Sequence, residues 1–66
     1  MNEIQNNLEE RRMRLGLTQQ DVAVLLGVSR VTYIKWEQNL GTMPIGKYEQ
    51  LMRELDRLET LKEDEA

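Results

Sequence analysis

Two short helical segments in this chain are separated by only Gly27 and Val28, and that connection restricts the fold more than any other feature. Val22, Leu25 and Leu26 form an apolar stripe at helical spacing, and Gly27 ends their segment after two turns. Ser29, a favoured N-cap residue, opens the next segment, which runs to about Gln38. Helices joined this tightly through a glycine have no room to lie antiparallel, so they must cross at a large angle. Gly27 can adopt the positive φ that such a turn needs, and Ala23 is small where the second segment must approach the first.

The rest of the chain is also helical in period. No stretch alternates strictly between apolar and polar residues, so strands are not expected. A first helix is expected from about Ile4 to Leu15, with Ile4, Leu8, Arg12 and Leu15 on one face and Gly16 at its end. Thr18-Gln-Gln-Asp21 has capping-box spacing at the start of the second helix, with Asp in place of the preferred Glu. Asn39 to Pro44 reads as a loop. A last helix is expected from about Pro44 to Leu61, with Ile45, Tyr48 and Met52 packed on the first three. The expected fold class is therefore all-α. It is a compact four-helix bundle with a central helix-turn-helix over residues 18–38 and a long C-terminal helix. Residues 1–61 are expected to form one domain and residues 62–66 a frayed acidic tail.

A chain of 66 residues buries only ~60% of the surface it exposes when unfolded, near the lower limit for independent folding. Domains this small usually need a disulfide, a metal or a partner chain. There is no Cys and no His, which removes disulfides, thiolate metal sites, and the commonest metal ligand and general base. No cofactor, metal or small-molecule ligand is expected, and no enzymatic activity. A partner chain is the staple that remains. Leu55, Leu58 and Leu61 have too little protein left to cover them, so a homodimer through these residues is expected. No apolar run approaches the ~18 residues of a membrane span, and no signal peptide is expected at the N-terminus. A cytoplasmic location follows.

The net charge of −3 argues at first against nucleic acid, but its distribution changes that reading. Residues 4–48 carry six cations and four anions, whereas residues 49–66 carry three cations and seven anions. The body is mildly basic and the tail acidic. On the helix that starts after Ser29, Tyr33 and Trp36 occupy one side at about 100° per residue. They read as core residues, with base stacking as the alternative. The other side exposes Arg30, Val31, Ile34, Lys35 and Gln38. That set suits the major groove: Arg30 or Lys35 can donate to guanine, Val31 or Ile34 can touch a thymine methyl, and Gln38 can pair with adenine. Scattered surface apolar residues are the alternative.

The stretch RMRLGLTQQDVAVLLGVSRVTYIKWEQN, with GLTQ, LLGVS and WEQN at these spacings, resembles the helix-turn-helix of the Cro and lambda-repressor class, also called the XRE family. The match covers Leu8 to about Pro44. It implies that the third helix enters the major groove of double-stranded DNA, with Arg30, Val31 and Lys35 as base readers. Gln19 would contact backbone or base, and Thr18, Ser29 and Thr32 would meet phosphates. The resemblance also implies a partly buried structural ion pair between Arg12, on the apolar stripe of the first helix, and Glu37, on the core side of the third. The chain departs from many members in ending with one long helix instead of two. The expected function is a sequence-specific transcriptional regulator, a small dimeric repressor on a pseudo-palindromic operator. The alternative is a protein-interaction module, such as an antitoxin whose acidic C-terminal helix covers a partner.

Overall fold

Caps written into the sequence set where the helices begin and end. The computed structural model describes the backbone of residues 3–65 and the side chains of residues 8–64. It contains α1 (Glu3–Arg14), α2 (Gln19–Leu26), α3 (Arg30–Gln38) and α4 (Ile45–Glu65), with a 3-10 turn over Leu40–Thr42. No strand occurs among the described residues, and the all-α helix-turn-helix architecture is the one expected. Thr18 caps α2 in a complete capping box: the Asp21 N–H donates to Thr18 Oγ1 at 3.0 Å, and the Thr18 N–H donates to Asp21 Oδ2 at 2.9 Å. Gly27 ends α2 at φ 73°, and the Val28 N–H turns back to the Ala23 carbonyl at 3.0 Å. Gly16 ends α1 in the same left-handed region at φ 74°.

The core is small. Leu8, Val22, Ala23, Leu26, Tyr33, Met43, Leu51 and Leu55 are its buried apolar members. Leu25 and Trp36, expected inside, are half-buried, with Trp36 packed on the edge of the core. Ile45 corrects an expectation more sharply: it is 72% exposed. It stands at the first position of α4, before the inward stripe of Tyr48, Leu51, Met52 and Leu55 begins. Met43, read as loop, fills the core beside the 3-10 turn instead. The Ile4 side chain lies outside the described residues.

Polar ties fasten α4 to the two helices that precede α3. Lys47 Nζ donates to the Leu26 carbonyl at 2.7 Å and Gln50 Nε2 to the Leu25 carbonyl at 3.3 Å, so α4 side chains satisfy the open C-terminal end of α2. Lys62 Nζ does the same for α1 at the Arg14 carbonyl. Arg11 grips Glu59 with two N–H bonds of 2.9 Å and Asp56 with one of 2.8 Å. Held this way, α4 continues to Glu65, past the expected end near Leu61; Ala66 lies outside the described residues.

The expected dimer surface loses one of its three residues. Leu55 is fully buried against the bundle, so it is unavailable to a second chain. Leu58 is half-buried and Leu61 is 48% exposed. Together with Leu15, Leu17 and Lys62 they line an open groove of about 360 Å³ between the end of α1 and the last turns of α4.

Truncating Leu55 to Ala should therefore destabilise the fold by about 2–5 kcal/mol in urea unfolding. Replacing Gly27 with Ala should cost only about 1 kcal/mol. A Cβ there meets nothing within 4 Å, so only the left-handed backbone resists it.

Candidate nucleic-acid interface

The residues of α3 divide by side as their spacing requires. Tyr33 and Glu37 face inward and are buried. Arg30, Val31, Lys35 and Gln38 are exposed, Val31 to 59%. Ile34 and Thr32 are half-buried, so they offer less surface than the other four. Among the described residues, neither Arg30 nor Lys35 has an acidic partner, whereas Arg11, Arg12, Arg14 and Arg57 all do. Among the described residues no ion pair neutralises the outer face of α3, although the chain as a whole is acidic.

Hydroxyls stand at both helix starts. Thr18 Oγ1 accepts the Asp21 N–H, which leaves its own O–H to donate outward. Ser29 Oγ accepts the Thr32 N–H at 3.1 Å and bonds the Thr32 hydroxyl at 3.0 Å. One hydroxyl proton is used between Ser29 and Thr32, so the pair has one left to donate. The first N–H groups of α2 and α3 open in the positive direction of each helix axis, which suits phosphate oxygens.

Behind this surface lies a buried carboxylate, Glu37, on which donors from three helices converge. Arg12 Nε donates to Glu37 Oε2 at 2.9 Å and Arg12 Nη2 to Oε1 at 3.4 Å. Gln19 Nε2 donates to Oε1 at 2.9 Å, and the Tyr33 hydroxyl donates to Oε2 at 2.8 Å. Arg12 Nη1 turns to the Leu17 carbonyl at 2.8 Å. No buried side-chain nitrogen or oxygen among the described residues lacks a partner. The pair of Arg12 and Glu37 thus joins α1 to α3, and Gln19 and Leu17 bring in the start of α2. Sequence reasoning found the two charges through the family resemblance but missed Gln19 and the Tyr33 hydroxyl. Both contacts depend on how the helices cross, and helical period carries no sign of that.

Burial alone would raise the Glu37 carboxyl, but the hydrogen bonds from Arg12, Gln19 and Tyr33 outweigh it and hold the group below the usual carboxylate range. The Arg11 hydrogen bonds likewise lower Glu59. Tyr33 is pushed well above the ordinary phenol range, first by burial and then by the carboxylate that accepts its proton. A carboxylate held low in the folded state adds stability above its unfolded pKa of about 4.3, and that stability is lost as pH falls through the folded value. A phenol held high has the opposite limb: stability falls above about pH 10, where the unfolded chain ionises. Thermal unfolding followed by circular dichroism should therefore fall away below about pH 4.3 and again above about pH 10. Arg12→Met should destabilise by about 3 kcal/mol at neutral pH and remove Glu37 from the acid limb, because burial then dominates and a carboxyl held high in the fold loses stability as pH rises.

Comparison with known proteins places this geometry. A helix-turn-helix family model matches residues 8–57, most of the chain. No curated protein and no solved structure matches it. No described helix is long and apolar enough to cross a membrane. The match extends from the first turn of the core in α1, through the crossed helices α2 and α3, into the docked part of α4. With the capped two-helix unit and the exposed face of α3, it establishes that the chain belongs to the XRE, or lambda-repressor-like, helix-turn-helix family of DNA-binding transcription regulators.

Proposed function

We propose that this protein is a small sequence-specific repressor that reads the major groove with α3 and acts in the cytoplasm without enzymatic activity. The observation that carries the reading is the outer face of α3. Arg30 and Lys35 stand exposed with no carboxylate partner among the described residues, flanking the exposed Val31. A free guanidinium is a bidentate donor for guanine, and a free ammonium is a point charge for guanine or phosphate. Val31 presents methyl groups to thymine. Gln38 and the half-buried Ile34 extend the same strip. Thr18, Ser29 and Thr32 serve the phosphates and set the register. The unit that binds is residues 18–38, supported by the rest of the domain.

Two copies bound to one site would place their α3 helices about 34 Å apart on a pseudo-palindrome. The groove lined by Leu15, Leu17, Leu58 and Leu61 supports pairing, because it is an apolar surface that the bundle leaves open.

Arg30→Ala should weaken operator binding by about 1–3 kcal/mol and relax the preference at one base pair, as measured on sites selected from a random duplex pool. The selected sites should show twofold symmetry. Lys35→Ala should lower the slope of log affinity against log salt by about 0.9 if its ammonium meets a phosphate. Leu61→Glu should leave the fold intact and shift sedimentation equilibrium at tens of micromolar toward monomer. Wild-type protein that stays monomeric on a twofold site would remove the dimer.

A further inference from the structure

Gln19 occupies a position with two roles available to it. It is the first residue of α2 and half-buried, and its Nε2 is held by Glu37 Oε1 at 2.9 Å across the crossing of α2 with α3. A carboxamide carries two N–H groups and a carbonyl oxygen. One N–H is committed to Glu37, and the carbonyl oxygen accepts no hydrogen bond among the described residues. Because no buried side-chain polar atom lacks a partner, that carbonyl is reached by solvent. The side chain is therefore fixed at one edge and open at the other, at the end of α2 nearest the α3 ion pair.

Resting on the DNA-binding reading, we propose that Glu37 is a positioning residue for DNA recognition that acts through Gln19. The carboxylate holds the carboxamide in one orientation, so that its remaining N–H meets an acceptor on the duplex. Glu37 is itself immobilised by Arg12 and Tyr33, which donate to it from α1 and from the preceding turn of α3. A glutamine otherwise loses its rotamer freedom only on binding. Ordering it beforehand is worth about tenfold in affinity. The buried ion pair then contributes to recognition as well as to the fold. The acceptor is a phosphate oxygen or a base edge. The two are told apart by whether the contribution is uniform over sequences or confined to one base pair.

The test uses the full chain, a selected operator duplex and a scrambled duplex of equal length. Affinities are measured over a range of salt, below the unfolding temperature of every variant. Gln19→Met keeps the length and removes the amide. It should weaken operator binding about tenfold with an unchanged salt slope, because a neutral donor releases no counterion. An equal loss on the scrambled duplex identifies a phosphate as the acceptor, and a loss on the operator alone identifies a base. Glu37→Gln should weaken binding by a similar factor in the natural background but by less than twofold when Gln19 is already Met. A Gln19→Met protein within twofold of wild type overturns the proposal, as does a pair of losses that multiply in the double variant. Should Glu37→Gln fail to fold, Tyr33→Phe, which removes one of the donors that immobilise the carboxylate, takes its place in the same comparison with and without Gln19→Met. If the unaltered chain binds no duplex, the DNA-binding reading falls and takes this inference with it. If it binds duplex while Gln19→Met is silent, only this inference is lost.

Discussion

The Glu37 carboxylate is the point on which the arrangement of α1, α2 and α3 depends. A buried carboxylate is costly unless it is paired and hydrogen-bonded. Here a guanidinium supplies the opposite charge, and an amide and a phenol add further donors. Each donor comes from a different part of the fold: Arg12 from α1, Gln19 from the first position of α2, and Tyr33 from α3 itself. Apolar packing of Val22, Leu26 and Tyr33 resists separation of these helices but tolerates small rotations. Directional bonds to one carboxylate do not. The network therefore favours one crossing geometry over close alternatives, and that geometry turns Arg30, Val31 and Lys35 outward.

A second economy concerns the cations. In so short a chain, helix ends make up a large share of the backbone, and their open carbonyls need partners. Lys47 and Lys62, both on α4, donate to the last carbonyls of α2 and α1, where the helix axis is negative. Arg11 holds two acidic residues of α4, and Arg12 holds Glu37. These four cations are engaged within the bundle, while Arg30 and Lys35 remain without acidic partners. The acidic C-terminal segment and the cation-bearing α3 face coexist because the acids of α4 are partly neutralised from α1. An overall charge of −3 thus says little about the field at the outer face of α3.

Much of this was legible in the sequence because it depends on near neighbours. The caps at Thr18 and Ser29, the left-handed Gly27 and the separation of Tyr33 from Arg30 around α3 all follow from residues within a turn or two of each other. Other features were not legible. Ile45 and Met43 exchanged expected roles because a 3-10 turn, invisible to helical period, decides which of them reaches the core. Leu55 looked like a partner surface because most of the core cluster that it joins, from Leu8 to Tyr33, is distant in sequence. The last turn of α4 was not expected because its anchor, the Arg14 carbonyl, is also distant.

The amino-acid order by itself determined four helical segments, a tight crossed pair in the middle, and a cationic strip opposite two aromatic residues. Local hydrogen bonds and the 3.6-residue turn are properties of neighbouring positions, so a one-dimensional pattern carries them. Only the tertiary structure decided which leucines stay open, which cations are engaged, and that Gln19 and Tyr33 share a carboxylate with Arg12. Those outcomes depend on contacts between residues far apart in the chain. Many packings satisfy the same periodicity, and in the one that forms every buried side-chain nitrogen and oxygen among the described residues finds a partner.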